Sequence, residues 1–332
     1  MTVQMTVIGL NQIGVSFGLA LAKNKELVYR VGNDREPEVA RKAQQMGAFD
    51  RVIYNLPASV ENADMVVLAL PVDEIQDTLK VIAPSLKPGC VVMDTSTVRG
   101  AVHQWMQELL PEDRYFVSLM PSLNPAYLEE NLADVTTAHD DLFKKGVMVI
   151  SSLPNTDPDA IKLAADLAAL LGATPYFSDP LEADGLVASS IFLPRLVSAA
   201  LLESAVSQPG WREARKLAHR DFARTTSSVE NFSGAKSIGS EILLNKDNIV
   251  RMLDATMETL HSLREMIAEG DEKKLHKWIN KARSDRDLWI RQRANADWEI
   301  QMQQPMPTMG DILGRLVGIR PKYDRKKKEQ TD

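Results

Sequence analysis

The residues with the clearest chemical meaning lie near the N-terminus, around two glycines. Gly9 and Gly14 bracket the segment Leu10–Ile13, directly after an apolar run that ends at Ile8. A strand, a tight glycine turn and a helix in this order are typical of dinucleotide binding, because the first glycine makes the turn and the last lets the helix pack closely on the strand. The free N–H groups and partial positive charge of the helix N-terminus would face a pyrophosphate. The spacing predicts a dinucleotide site at Gly9 and Gly14.

This fingerprint departs from its usual form at Asn11. A glycine normally stands there and lets the backbone approach the pyrophosphate. Asparagine adopts unusual backbone angles more readily than most residues, so we expect binding with a shifted or weaker hold on the phosphates. Gln12 and Ile13, at the start of the helix, are predicted to contact the cofactor as well.

A carboxylate follows the second predicted strand. Asp34 comes roughly 20 residues after Gly14, the spacing at which an acidic residue accepts hydrogen bonds from the adenosine ribose. Its charge would repel a 2′-phosphate, although the adjacent Arg35 could offset that repulsion. The sequence therefore favours NAD as cofactor, with NADP as the less favoured alternative. A doubly wound domain that binds no nucleotide is the other interpretation of these residues.

Two further strand ends are expected beside the same crevice, because ligands of open parallel sheets bind beyond the carboxyl ends of the strands. Leu70, Pro71 and Val72 follow one strand and can form a wall for the cofactor. Thr95 follows the next strand, and the residues after it can reach the nicotinamide.

These predicted contacts require strands whose ends converge on one edge of a sheet. Between residue 3 and about residue 177, short β-branched runs alternate with helical patterns. This alternation predicts an α/β, Rossmann-like, doubly wound parallel sheet with helices on both faces. The predicted strands are Val3–Ile8, Leu27–Val31, Met65–Leu70, Val91–Asp94, Phe116–Leu119, Val147–Ser151 and Thr174–Phe177. The predicted helices are Gln12–Lys23, Glu38–Met46, Glu74–Ile82, Ala101–Leu110 and Asp159–Leu171.

Strand patterns end near Asp179, and long helical patterns follow. One of these helices carries apolar residues at a three-to-four spacing from Ile249 to Ile267, which predicts a single buried stripe. We predict three segments: a dinucleotide-binding domain (1–178), an all-helical substrate and dimerisation domain (179–320), and a disordered basic tail (321–332).

Composition excludes several classes of protein. A formal net charge of -6 and a pI near 5.5 argue against a nucleic-acid partner, which would require a basic surface. No uninterrupted apolar run approaches the roughly 18 residues of a membrane span, and the N-terminus lacks the features of a signal peptide. We therefore expect a cytoplasmic protein without a membrane partner. The single cysteine, Cys90, is expected to be a buried thiol, and no residue grouping has the spacing of a metal site.

Several segments form a pattern when their order and spacing are taken together. They are Gly9–Gly14, Val31–Arg35, Ala63–Val72, Leu86–Gly89, Asp94–Gly100, Asp141–Phe143 with Gly146, Leu193–Pro194, Asn248, Ala268–Asp271 and Ala282–Arg286. In this arrangement the chain resembles the prephenate/arogenate dehydrogenase family up to about Trp298. The resemblance implies NAD(P)-dependent oxidative decarboxylation of prephenate or arogenate in tyrosine biosynthesis, by a homodimer formed through the helical half.

The chain departs from this family at positions that carry its chemistry. The family's catalytic histidine lies in an H-P-M-A-G segment, and Met120 stands at that position here. Methionine cannot accept a hydroxyl proton, so loss of this base should cost on the order of 10²- to 10⁴-fold in rate. The segment Ala183–Arg195 lacks the histidines of the family's H-D-x-x-x-A-x-x-S-H-L-P-H pattern. No arginine stands at Thr226–Ser227, the position of the family's substrate arginine.

Other residues are candidates for the catalytic roles. Thr97 stands where the family has its active-site serine, and Ser96 replaces the preceding glycine. Thr97 can hydrogen-bond a substrate hydroxyl or carbonyl; its alternative role is to cap the helix that follows. His103 and His219 are the candidate stand-in bases, with packing or surface roles as their alternatives.

A small-molecule substrate is expected to contact Met120, Arg195 and Arg220. A guanidinium offers a planar fork of donors that fits a carboxylate, although arginines at helical spacing also occur on solvated faces. Two other functions remain open: a dehydrogenase of the same fold that acts on a different hydroxy or amino acid, and a dinucleotide-binding dimer without catalysis.

Overall fold

The computed structural model describes residues 2–26, 28–130, 134–232 and 235–298. The chain divides into two compact units, one from the N-terminus to Ala183 and one over Asp184–Asp297. The predicted boundary after residue 178 lies shortly before this division. Leu27, the predicted first residue of a strand, and the predicted tail 321–332 lie outside the described residues.

An eight-stranded sheet forms the centre of the first unit. Its strands are β1 (Val3–Ile8), β2 (Val28–Asn33), β3 (Arg51–Val52), β4 (Met65–Leu68), β5 (Val91–Asp94), β6 (Tyr115–Pro121), β7 (Val147–Ser151) and β8 (Thr174–Phe177). Their order is β3-β2-β1-β4-β5-β6-β7-β8. The predicted doubly wound class is confirmed, and the short β3 is an addition to the predicted strands.

The predicted parallel sheet has one exception among its neighbouring strands, because β6 and β7 are antiparallel. A parallel neighbour requires a crossover that packs on the sheet face, usually through a helix. The described part of the β6–β7 connection forms two short 3₁₀ turns, Pro125–Tyr127 and Val135–Thr137, in place of such a helix. β7 therefore returns in the opposite direction.

Helices cover both faces of the sheet and bury two separate apolar clusters. They are α1 (Gln12–Ala20), α2 (Pro37–Gln45), α3 (Leu56–Val60), α4 (Val72–Ile82), α5 (Arg99–Leu109) and α6 (Pro158–Leu170). In β4, Met65 and Val67 join the cluster formed with α1, α2 and α6. The alternate residues Val66 and Leu68 join the cluster formed with α3, α4 and α5. A strand buried on both faces has to be apolar throughout, which explains the continuous apolar runs in the sequence.

The rest of the described chain is helical. Its helices are α7 (Pro180–Val187), α8 (Leu193–Val206), α9 (Trp211–Ala214), α10 (Arg220–Thr226), α11 (Ala235–Leu244), α12 (Lys246–Ala268) and α13 (Glu272–Asn295). The predicted buried stripe of α12 is only partly buried within one chain, since Met252, Leu253, Thr256 and Leu263 are half-buried. Ile249 is buried, but Leu260 and Ile267 are 56% and 59% exposed. These side chains have the spacing of a packing face, but no element of the described chain covers them.

One continuous helix, Pro180–Val206, has the length and apolar composition of a membrane span. It consists of α7, a π-helical turn over Ala188–Phe192, and α8. Its apolar runs are interrupted by charged residues and a proline, which is why the sequence shows no uninterrupted span: Glu182, Asp184, Pro194, Arg195 and Glu203. Length and composition alone do not separate a membrane helix from one that packs against protein.

Candidate functional site

The turn after β1 requires glycine at both ends. Gly9 has φ +90°, and a Cβ atom on it would lie 2.3 Å from the carbonyl oxygen of Ala69, beyond the end of β4. A Cβ atom on Gly14 would lie 2.0 Å from the Gly9 carbonyl oxygen. Both distances are far below van der Waals contact, so neither position tolerates a side chain without movement of the backbone. The turn therefore brings its backbone close to the end of β4, as the sequence predicts for a dinucleotide-binding loop.

Asn11 caps helix α1. Its side-chain oxygen accepts a hydrogen bond from the Gly14 N–H at 3.1 Å, and its amide nitrogen donates to the Ala69 carbonyl at 2.9 Å. The expectation of unusual backbone angles at Asn11 is wrong: its φ is -76°, and the left-handed conformation belongs to Gly9. Because the side chain is folded onto the protein, it stabilises the turn itself.

Asp34 ties the ends of β1 and β2 together. Its Oδ2 accepts from the Leu10 N–H at 2.7 Å, and its Oδ1 accepts from the Glu36 N–H at 2.9 Å. A carboxylate oxygen has more than one acceptor direction, so these bonds leave capacity for a ribose hydroxyl. The residue is half-buried at the edge of a cleft.

This cleft opens beyond the carboxyl ends of β1, β2 and β4 and has a volume of about 490 Å³. Its size falls within the range of small-molecule and cofactor sites. Six of the predicted cofactor contacts line it: Gly9, Asn11, Asp34, Arg35, Leu70 and Pro71. The structure thus brings together residues from three separate strand ends.

The other predicted cofactor contacts do not line this cleft: Gln12, Ile13, Gly14, Val72 and Thr95. Gln12 is buried, and its side-chain amide donates to the Thr137 carbonyl at 2.8 Å. Thr95 directs its hydroxyl to a carbonyl at the end of β4, at 3.3 Å. Ile13 and Val72 pack into the apolar clusters. Contact through the side chains of Gln12, Ile13 and Val72 is therefore not supported, because they face the protein interior.

Three acidic residues in the lining were missed by the sequence analysis: Glu36, Glu74 and Asp134. Glu74 lies in the first turn of α4, shortly after the predicted wall at Pro71. The expectation that ligands bind beyond the carboxyl ends of the strands therefore indicates this part of the chain. Asp134 comes from the β6–β7 connection, which has no periodic pattern to place it. These carboxylates make the cleft rim acidic.

The loop after β5 is held by a buried carboxylate. Asp94 accepts hydrogen bonds from the Ser96 N–H, at 3.0 Å, and from the Ser96 hydroxyl. Arg99, fully buried at the start of α5, donates to the Ser96 carbonyl. The predicted catalytic role of Ser96 is not supported, because its hydroxyl is buried against Asp94. Thr97 is half-buried, and it directly precedes Val98, the N-cap residue of α5.

His103 lies inside the protein. It is 2% exposed, its Nδ1 is 2.9 Å from the Arg99 carbonyl oxygen, and its ring meets Phe116 edge-on at 4.8 Å. Burial lowers the pKa of this imidazole. A catalytic role for His103 is therefore contradicted, and its packing alternative fits. His219 is exposed and accepts the Arg220 N–H at 2.8 Å as the N-cap of α10.

The predicted substrate contacts occupy different parts of the chain. Met120 is half-buried near the end of β6, where it pairs with Val149 of β7. Arg195 is half-buried in α8, where desolvation lowers its pKa against the opposing effect of Glu241. Arg220 is exposed at the start of α10, so it fits the alternative of a solvated face better than a built site.

Comparison with known proteins identifies the family to which this chain belongs. A family model for the prephenate dehydrogenase nucleotide-binding domain matches residues 17–176, and one for the prephenate dehydrogenase dimerization domain matches residues 179–281. The chain belongs to the prephenate/arogenate dehydrogenase family. This confirms the predicted family and its dehydrogenase class, and most of the residues that line the cleft fall within the matched nucleotide-binding domain.

Relatives are distant but cover most of the chain. Prephenate dehydrogenase of Bacillus subtilis is 26% identical over 320 residues, 94% of this chain and 83% of its own length. Cyclohexadienyl dehydrogenase of Zymomonas mobilis is 25% identical over 274 residues, 80% of this chain and 89% of its own length.

Solved structures of the family share the fold. Arogenate dehydrogenase of Synechocystis superimposes with a TM-score of 0.70 at 23% identity, over 86% of this chain and 99% of that one. Prephenate dehydrogenase of A. aeolicus, in complex with hydroxyphenyl propionate and NAD+, gives 0.72 at 22% identity, over 86% and 98%.

Proposed function

We propose that this protein is an NAD-dependent dehydrogenase that oxidatively decarboxylates prephenate or arogenate. The observation that carries the proposal is the Gly9 turn in the 490 Å³ cleft, with Asp34 at its rim. A Cβ atom on Gly9 would fill the close approach to the Ala69 carbonyl, and the half-buried carboxylate keeps acceptor capacity. These residues fit a dinucleotide whose adenosine ribose lies at Asp34.

NAD supplies the acceptor for a hydride. The chain's own residues position both reactants. Asp34 would hydrogen-bond the adenosine ribose hydroxyls, and the helix N-terminus at Asn11 would attract the phosphates. The Asp94–Ser96–Arg99 bonds fix the loop that carries Thr97. Thr97 would hydrogen-bond the substrate hydroxyl as its ring carbon gives up a hydride. The bond to the ring carboxylate breaks and CO₂ leaves, and the electron pair of that bond completes the aromatic ring, so the oxygen keeps a proton as a phenol.

The proposal is tested by calorimetric titration with NAD and then with prephenate and arogenate, followed by a spectrophotometric assay of NADH formation. We expect NAD binding and a second, cofactor-dependent heat from one of the acids. Thr97→Val should lower kcat about tenfold, the value of one hydrogen bond, and Thr97→Ser, which keeps the hydroxyl, should retain most activity. NAD binding without turnover of either acid would contradict the proposed substrate.

Met120 favours a second candidate, a dehydrogenase of the same fold with a different hydroxy or amino acid as substrate. The family's general base is replaced by a half-buried thioether, which makes the end of β6 less polar. A substrate panel with NADH formation as readout separates the two candidates. Exclusive turnover of prephenate or arogenate would exclude the second.

The protein is proposed to act as a cytosolic homodimer through its helical unit. Residues 179–281 match the dimerization domain of the family. The exposed apolar side chains of α12, which include Val250, Met257, Leu260 and Ile267, support this assignment because a soluble monomer rarely leaves a row of this kind uncovered. A second copy of the chain would also cover part of the apolar helix Pro180–Val206.

A further inference from the structure

An ion pair spans the rim of the nucleotide cleft. Nη1 of Arg35, just after β2, lies 2.6 Å from Oε1 of Glu74 in the first turn of α4. Both residues line the cleft. The Arg35 side chain is 72% exposed and that of Glu74 is 31% exposed, so the arginine has more room to adopt another rotamer than the glutamate.

The surroundings of Arg35 are acidic. Its Nε lies 3.9 Å from an oxygen of Glu36, and Asp34 precedes it in the lining. One guanidinium charge is therefore shared among three neighbouring carboxylates. A ribose 2′-phosphate placed beside Asp34 would meet a net negative rim, and the only adjacent cation in the described lining is already engaged by Glu74.

We propose that Glu74 is a specificity-determining residue that selects NAD over NADP by holding Arg35 away from the 2′-phosphate position. This inference rests on the proposed function, because it concerns the cofactor of the same cleft. An arginine next to the ribose carboxylate would otherwise be well suited to a 2′-phosphate, since its planar fork of donors matches phosphate oxygens. The 2.6 Å distance between Arg35 Nη1 and Glu74 Oε1 shows that the guanidinium is paired with Glu74 instead.

Replacing Glu74 with its uncharged isostere should favour NADP binding in two ways. Glu74→Gln removes one negative charge from the rim, and it frees Arg35 to swing on its exposed side chain toward a phosphate. Exposed ion pairs contribute little to stability, so the variant should remain folded. We expect the ratio of the NADP and NAD affinities to rise about tenfold at low salt, and the gain to shrink as ionic strength screens the rim charges.

The test measures Kd values for NAD and NADP by calorimetric titration of the full chain, without a need for substrate. Asp77→Asn is the matched control: it removes the same charge from the same helix, but Asp77 pairs with Lys80 and lies outside the cleft lining. We expect the control to keep the wild-type ratio. The double variant Glu74→Gln with Arg35→Ala should lose most of the gain, because the released guanidinium is then absent and only the removal of the rim charge remains.

The possible outcomes distinguish failure of the proposed role of Glu74 from failure of the proposed function. A wild-type chain that binds neither nucleotide contradicts the proposed function. A wild-type chain that binds NAD, combined with an unchanged ratio in Glu74→Gln, overturns the role of Glu74 alone. A gain of undiminished size in the double variant also overturns it, because the effect would then be general charge repulsion and would not act through Arg35.

Discussion

At the scale of single residues, polar side chains of the nucleotide cleft form hydrogen bonds with the backbone in the absence of a ligand. Asp34 accepts one N–H from the glycine turn and one from the segment after β2. Asn11 joins its own helix to the end of β4. A ligand therefore meets groups that are already oriented, which lowers the entropic cost of binding.

Asp34→Asn should destabilise the protein even without nucleotide. An amide has one oxygen, so it can accept from only one of the two N–H groups and turns its NH₂ toward the other. An unsatisfied or opposed donor costs about 1–3 kcal/mol, and we expect a free energy of unfolding lower by about that amount in urea titration. Glu38→Gln, an exposed change of the same type on α2, should have no measurable effect. Equal stability of both variants would contradict the structural role of Asp34.

The buried imidazole of His103 gives a prediction with a defined sign. Burial lowers its pKa in the folded protein, whereas the unfolded chain binds a proton near pH 6.5. Below that pH the unfolded state gains protons that the folded state does not, so wild-type stability falls as the pH drops. His103→Gln should flatten this loss between pH 7.5 and about 5.5 and leave the shape of the pH–rate profile unchanged. A lost ionisation in that profile would restore His103 as a base.

Cys90 should resist alkylation in the folded protein. Burial raises the pKa of its thiol to about 12, and only the thiolate is a nucleophile. At pH 8 we expect iodoacetamide to modify the chain only after denaturation, as measured by intact mass. Rapid modification without denaturant would mean that the start of β5, directly after Cys90, opens readily.

At the scale of elements, one ion pair with a buried arginine holds together β2, α1 and the turn after α2. Arg30 is 4% exposed and donates to both carboxylate oxygens of Asp50, at 3.1 and 2.7 Å. Its Nη1 also donates to the carbonyls of Gly18 and Gly47 at 3.0 and 3.2 Å. Burial raises the pKa of Asp50, but the Arg30 hydrogen bonds and charge outweigh this effect and lower it.

Arg30→Met should cost about 3 kcal/mol, because it leaves the Asp50 carboxylate with only the backbone N–H of residue 30 and removes the donor to the carbonyls of Gly18 and Gly47. The stabilisation is present above the unfolded pKa near 3.9 and is lost as the pH falls through the lower folded value. The difference between wild type and variant should therefore shrink below about pH 4 in denaturant titrations. Arg41→Met, an exposed change on α2, is the matched control and should cost little. A difference that stays constant on acidification would rule out the ion pair as its source.

Elements that are buried on both faces could be predicted from the sequence, and elements set by long-range pairing could not. β4 is apolar throughout because Met65 and Val66 face opposite clusters. The direction of β7 depends on the 122–146 connection, whose turns carry no periodic signal. In the site, the Gly9–Asp34 spacing is local and predictable, whereas Glu74 and Asp134 reach the cleft only through the fold.

At the scale of the whole molecule, the exposed apolar face of α12 leads to a last prediction about assembly. Met257 and Leu260 are 60% and 56% exposed, and they lie on the same side of the helix as the buried Ile249. A charge placed there would be desolvated if this face meets a second copy, and burial of an unpaired charge is strongly unfavourable.

Leu260→Lys should therefore convert a dimer into a monomer in light scattering, with a mass near the 36.9 kDa of one chain. Ser262→Lys adds the same charge two positions away, on the polar side of α12, and should leave the dimer intact. Because each copy would contribute the same face, one substitution places two charges in the interface, so the effect should exceed that of a single buried lysine. A wild-type monomer would refute the dimer, and a dimer that survives Leu260→Lys would assign the interface to another face of the helical unit.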